Sequence, residues 1–227
     1  MTLADRINQV LFGGSPYDGL DLAAYPLDLQ GWCDSQELFD TMVDRHRPRL
    51  IIEVGSWKGT SAHYLIKRAL LHQSDPAIIC VDTWLGSSEH WIYPKMHRML
   101  KLKNGRPTLH EQFMANVVHA GLQDRVVPLP LPSRIASMVL SEVRLGGQAL
   151  AAPLVFIDGA HDEASVREDI AAWWPFVTSG GIMLGDDYSP IWTGVINAVA
   201  RFRAERASEI CDTGESGTSW FARKNPS

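Results

Sequence analysis

Cysteine is scarce in this chain: Cys33, Cys80 and Cys211 are the only three in 227 residues, too few and too scattered to staple a fold. Cys80 lies in an apolar run and reads as a small buried hydrophobe. Long hydrophobic runs are missing as well. No uninterrupted stretch could span a bilayer, and the first dozen residues mix Asp5, Arg6, Asn8 and Gln9 among the apolar ones, unlike a secretory leader. There is no basic surplus either. Against 21 Lys and Arg stand 26 Asp and Glu, a net charge of −5, which gives no reason to expect nucleic acid or a membrane surface as partner. Internal repeats and low-complexity tracts are also wanting. These absences lead to a soluble protein of a reduced, cytoplasmic compartment. An apolar content of 45% suits one compact domain. Whether it forms a homo-oligomer is left open.

What is present is an alternation of strands and helices. Leu3, Ile7, Val10 and Leu11 have helical spacing, and a loop from Gly13 to Gly31 follows. Asp34 and Glu37 look like a capping pair for a helix with the stripe Leu38, Phe39, Met42 and Val43, ended by Pro48. Strands are predicted at Leu50–Val54, Ala77–Val81, Val126–Leu131, Leu154–Ile157 and Ile182–Leu184, the third weakened by two prolines. Helical faces are marked by Ala62, Leu65, Ile66, Ala69 and Leu70; by Val166, Ile170, Trp173, Trp174 and Val177; and by Ile191, Val195, Ala198, Val199 and Phe202. Continuous apolar strands separated by helices predict an α/β fold, a Rossmann-like, doubly wound, mostly parallel sheet. Segments around Ser208–Cys211 and Thr218–Ala222 predict a C-terminal antiparallel hairpin. The organisation expected is an N-terminal helical segment, 1–48, packed on a domain of residues 49–227.

Ligands of such sheets bind beyond the carboxyl ends of the strands, and three of the five strands end in carboxylates. After the first strand comes Glu53-Val54-Gly55-Ser56-Trp57-Lys58-Gly59-Thr60-Ser61. A dinucleotide fingerprint needs glycine two residues after Gly55, where Trp57 would block a pyrophosphate. An acid followed by Gly55 and Gly59 suits a ligand without phosphates, or else a purely structural turn. Asp82 ends the second strand, close to the spacing at which a carboxylate meets the vicinal hydroxyls of a ribose. Its alternative is a turn cap beside Thr83.

The fourth strand runs into Asp158-Gly159-Ala160-His161 and the fifth into Gly185-Asp186-Asp187-Tyr188. Neighbouring parallel strands lie roughly 5 Å apart, so Asp158 can meet Asp186 and Asp187. Three crowded acids raise one another's pKa unless a hard cation such as Mg²⁺ joins them. The alternatives are solvated acids, with Asp187 turned outward and Asp162 capping the next helix.

Glu53-x-Gly55-x-x-x-Gly59, followed by Asp82 and this order of strands, resembles a class I S-adenosylmethionine-dependent methyltransferase over about residues 50–224. The resemblance implies that Gly55 and Gly59 pass the methionine part, with Ser56 and Ser61 in the same turn. It also implies that Glu53 sits beneath it, Asp82 holds the ribose and Ser133 lies near the adenine. The acid set resembles the metal-dependent O-methyltransferases, above all the macrocin O-methyltransferase and cephalosporin hydroxylase-like group and more distantly catechol O-methyltransferase. Carried over, the metal ligands are Asp158, Asp186 and Asp187. In the catechol enzymes the last of these is an amide. Those enzymes place a lysine base three residues after the first metal acid, and this chain has His161 there. A histidine of near-neutral pKa can accept a hydroxyl proton; the alternative is a helix-entry histidine bonded to backbone.

Residues 84–121 exceed what the minimal fold needs. Trp84, Trp91, Tyr93 and Phe113 offer flat apolar surfaces there, and Lys95, Arg98, Lys101, Lys103 and Arg106 come with no acid between His90 and His110. This insert reads as a solvated face or as a lid over the acceptor. The whole implies a Mg-dependent O-methyltransferase acting on a hydroxyl of a small molecule or sugar. A metal-free enzyme, a non-catalytic S-adenosylmethionine-binding protein and an NAD-dependent oxidoreductase are the alternatives.

Overall fold

The computed structural model describes all 227 residues except Trp32 and Asp34. The predicted capping role of Asp34 therefore lies outside the described residues. Ser35 is the N-cap of that helix and makes no side-chain capping bond.

Helices α1 (Leu3–Phe12) and α2 (Gln36–His46) precede β1 (Leu50–Val54), α3 (Thr60–Ala69) and β2 (Ala77–Val81). The insert folds as two short helices, α4 (Ser88–Ile92) and α5 (Pro94–His97), then α6 (Leu109–His119). Next come β3 (Val126–Leu129), α7 (Ser133–Glu142), a small hairpin of β4 (Arg144–Leu145) and β5 (Gln148–Ala149), and β6 (Ala152–Ile157). Helix α8 (Glu163–Trp173), β7 (Val177–Gly185), α9 (Thr193–Glu205), β8 (Ile210–Ser216) and β9 (Ser219–Lys224) complete the chain. Seven strands form the main sheet in the order β3-β2-β1-β6-β7-β9-β8. All neighbours pair in parallel except β9, which runs antiparallel to both β7 and β8.

Strand period decides which helices cover which face. Leu50, Ile52 and Val54 join Val155, Ile157 and Met183 under α1, α7, α8 and α9. Ile51, Ile78, Cys80, Leu154 and Phe156 join α2, α3 and α6 on the other side. Glu53 shares the parity of Ile51, so its carboxyl is aimed into the α3 side. The proline-bearing strand survives because β3 is an edge, where Pro128 opposite Cys80 removes no interior ladder bond.

Several boundaries differ from the sequence reading. Val177 opens β7 instead of closing the preceding helix, and Ile191 is 80% exposed ahead of α9 rather than on its buried face. Trp84 and Phe113 are core residues, not platforms of a lid, whereas Trp91, Ile92 and Tyr93 are exposed. Among the described residues no helix is long and apolar enough to cross a membrane.

Candidate active site

Backbone bonds align the strand ends in a row. Gly55 N donates to Val81 O at 2.8 Å, Asp158 N to Val54 O at 2.7 Å, and Asp186 N to Ile157 O at 3.1 Å. The loops that follow β1, β2, β6 and β7 are thus brought side by side. Gly55 shows why glycine stands there. Its φ is +89°, and a Cβ would lie 1.9 Å from the Asp158 carbonyl oxygen. Gly59, also at +89°, would bring a Cβ within 2.9 Å of the Phe113 ring.

The carboxylate of Asp82 organises this glycine loop. Its Oδ2 accepts from the amides of Ser56 (3.0 Å) and Trp57 (2.9 Å), and its Oδ1 accepts from Trp84 N at 2.7 Å. Trp57 (φ 47°) and Trp84 (φ 52°) both occupy the left-handed region, a costly place for bulky side chains. Asp82 holds both. Burial raises its carboxyl against these amide bonds. The Thr83 amide bonds the carboxyl as well, so Asp82 acts as a turn cap.

Glu53 is fully buried, taking Ser61 Oγ at 2.6 Å on Oε1 and Ser56 Oγ at 2.5 Å on Oε2. Burial pushes it up to about 7 in spite of those hydroxyls. The Ser56 and Ser61 hydroxyls are thereby turned inward, so only their backbone is offered to a ligand. Ser133 opens α7, where its hydroxyl donates to Asp169 and accepts from Trp173 Nε1 at 2.8 Å. It ties α7 to α8, its hydroxyl engaged by both partners.

The three acids after β6 and β7 do converge, around a small cavity of about 10 Å³, room for no more than a water. The Asp158 carboxyl is pushed well above the carboxylate range by burial and then by Asp186 and Asp187. The other two have protein partners. Asp186 Oδ1 accepts from Thr218 (2.9 Å), Ser219 (3.3 Å) and its neighbour's amide (2.9 Å), and its Oδ2 from Ser35 at 3.2 Å. Asp187, at φ 59°, turns to His161, with Oδ2 2.9 Å from Nε2. No group of three potential ligands among the described residues is arranged to hold a metal. The donor set does not fit Mg²⁺ in this arrangement, because two of the expected ligands face other partners. Asp162 caps α8 through Ser165 N at 3.0 Å.

His161 is therefore bonded to a carboxylate rather than to backbone, and the Trp192 indole stacks on its ring at 4.0 Å between centroids. The hydrogen bond to Asp187 raises its pKa, burial opposing. Glu89 of α4 adds to the rise, which places the first insert helix beside this dyad.

Sequence reasoning passed over Lys58 and Asp28. Lys58 is a buried cation inside the glycine loop, its Nζ 2.8 Å from Asp28 Oδ2. A lysine among residues otherwise turned to the core was the available signal.

A parallel sheet with its last strand inserted antiparallel next to β7, and a glycine loop capped by an acid on the second strand, defines a class I methyltransferase. The chain belongs to the methyltransferase-domain family, whose model matches residues 52–188, and it is an S-adenosylmethionine-dependent enzyme of that class. A search of curated proteins gives no match. Among solved structures it resembles the O-methyltransferase from Bacillus cereus in complex with SAH, with a TM-score of 0.62, 14% identity and 98% of each chain covered. TomG from Streptomyces achromogenes, an O-methyltransferase of tomaymycin synthesis in complex with SAM, matches at a TM-score of 0.61 and 14% identity, over 87% of this chain and 82% of that one. A TDP-rhamnose 3'-O-methyltransferase of calicheamicin biosynthesis matches at 0.56 and 16%, over 83% and 78%. At such identities the likeness is one of fold.

Proposed function

We propose that the protein transfers the methyl group of S-adenosylmethionine to a hydroxyl oxygen of a small molecule or sugar, with His161 as general base. The observation that carries this reading is the His161–Asp187 pair at the end of the same row of loops as Gly55 and Asp82. Similar folds described as O-methyltransferases, one acting on a TDP-sugar, support the acceptor atom. The donor would lie along the backbone of residues 55–61, its ribose beside Asp82.

Asp187 fixes the tautomer. With Nε2–H given to the carboxylate, the neutral imidazole carries its lone pair on Nδ1. As the acceptor oxygen attacks the methyl carbon, the carbon–sulfur bond breaks to leave S-adenosylhomocysteine, and the hydroxyl proton passes to Nδ1. Alignment and exclusion of water supply much of the remaining acceleration. The proposal keeps a cytoplasmic setting and a small-molecule acceptor, with no part for nucleic acid.

A second reading keeps the divalent cation. The raised Asp158 carboxyl, crowded by Asp186 and Asp187, is the observation in its favour. Asp187 would first have to leave His161, and Asp186 its donors. Calorimetry with the methyl donor and NADH, followed by an acceptor screen with labelled donor, tests the function. Binding of NADH without binding of the donor would defeat it.

A further inference from the structure

Residues 26–31, ahead of α2, form a strap stitched across the glycine loop. Trp57 Nε1 donates to Gln30 O at 3.2 Å and Thr60 Oγ1 to Leu29 O at 2.7 Å. The buried Asn116 of α6 binds strap and loop together, donating to Asp28 O at 2.7 Å and Lys58 O at 2.9 Å and accepting from Asp28 N at 2.9 Å. Gln112 adds a bond to Pro26 O at 2.8 Å.

One carboxylate oxygen lies at the centre. Asp28 Oδ2 accepts from Lys58 Nζ at 2.8 Å and from Lys101 Nζ at 2.9 Å. Lys58 belongs to the glycine loop and is only 3% exposed, with Gln30 Oε1 its second partner at 3.2 Å. Lys101 belongs to the insert and is 51% exposed. It sits at a left-handed turn (φ 47°) just past Leu100, which is fully buried under the insert. Burial pushes the Asp28 carboxyl up, but the bonds from Lys58 and Lys101 outweigh it and hold it at about 2.

The two arms differ in kind. A buried ammonium without its anion is strongly disfavoured, so the Lys58 arm stays closed. An exposed ion pair is weak and screened by salt, so the Lys101 arm opens readily. We propose that Asp28 is a positioning residue: through Lys58 it holds the glycine loop in the shape that receives the methyl donor, and through Lys101 it latches the insert over that loop. Donor exchange then follows opening of the Lys101 arm while the strap stays in place. The proposal rests on the reading that the donor lies along the glycine loop.

Two variants of the full chain test it, with S-adenosylhomocysteine as the probe and tryptophan fluorescence as the signal. Lys101→Met should release the probe up to about fivefold faster, the range of an exposed pair, and should lose the salt dependence of the wild-type release rate. Its melting temperature should not move. Asp28→Asn should weaken probe affinity by about tenfold or more, since a buried cation loses its anion. If Asp28→Asn does not fold, Lys101→Met still decides. A release rate and salt dependence equal to wild type in Lys101→Met would overturn the latch. Hydrogen exchange across residues 84–106 separates the two readings. If wild type binds no probe yet exchange there rises in Lys101→Met, the donor site fails and the latch stands. Unchanged exchange overturns the latch as well.

Discussion

His161 Nε2 stands 2.9 Å from Asp187 Oδ2, and the Trp192 indole lies stacked on the same imidazole. The carboxylate favours the imidazolium, so the His161 pKa lies above its ordinary value. The base is therefore neutral only toward higher pH. The acidic limb of the turnover profile should sit on the alkaline side of an ordinary histidine, and Asp187→Asn should move it to lower pH. In stability the sign is opposite: the pairing contributes fully below the unfolded histidine value and fades as pH rises through the folded one. An acidic limb that stays put in Asp187→Asn would uncouple the two residues.

Replacing the base itself has a larger effect. His161→Ala should lower turnover by roughly 10²- to 10⁴-fold, the usual scale of acid–base catalysis. Donor affinity should stay within experimental error, since the imidazole is not placed against the glycine loop. Steady-state kinetics alongside donor calorimetry separate these effects.

Gly55→Ala should destabilise the fold severely. The new Cβ would stand 1.9 Å from a backbone oxygen, at a φ of +89°, and neither β1 nor β6 can yield at the centre of the sheet. Overpacking and a left-handed alanine together cost about 3 kcal/mol or more. Urea unfolding checks it, and a loss below about 1 kcal/mol would mean that the strand ends relax.

Much of this fold was legible because parallel strands buried on both faces must be apolar throughout, as Leu50–Val54 and Ala77–Val81 are. Asp82, Asp158, Asp186 and Asp187 were legible as chain-local signals at strand ends. Partners were not. Nothing near Asp186 in sequence announces Ser35 or Thr218, 151 and 32 residues away. Such remote donors give the predicted ligand Asp186 hydrogen-bond partners that its own stretch of sequence does not announce. The partners of Ser133 were hidden for the same reason, Asp169 and Trp173 lying 36 and 40 residues on. The strap was passed over because a polar loop carries no period, and its contacts with Lys58 and Asn116 are all long-range.

Glu53→Gln should flatten part of the stability–pH curve. The folded carboxyl, near 7 against an ordinary 4.5, binds its proton more tightly than the unfolded one. Stability therefore falls as pH rises from the unfolded value through the folded one. At about 1.4 kcal/mol per unit, the penalty reaches about 3 kcal/mol above neutrality. The amide should remove most of it, making the variant more stable than wild type at pH 8 and not at pH 4. Denaturant titrations at the two ends of that range would refute this if the difference did not change.

The divalent-cation reading can be tested through a residue that touches no acceptor. Thr218→Val removes one donor from Asp186 Oδ1 with little change of shape. If Asp186 ligates a cation, Mn²⁺ should bind the variant more tightly, by about fivefold for a hydrogen bond worth about 1 kcal/mol. Equal Mn²⁺ affinity would take Asp186 out of any metal centre.

The hairpin that supplies Thr218 and Ser219 carries the strand that slots in between β7 and β8. During synthesis, every other strand of the parallel sheet has left the ribosome before β9 emerges. Until that strand is zipped against β7, Asp186 lacks two of its donors and is held only by Ser35 and the Asp187 amide. The surroundings of Asp186 are thus completed by the one strand that runs against its neighbours in the sheet.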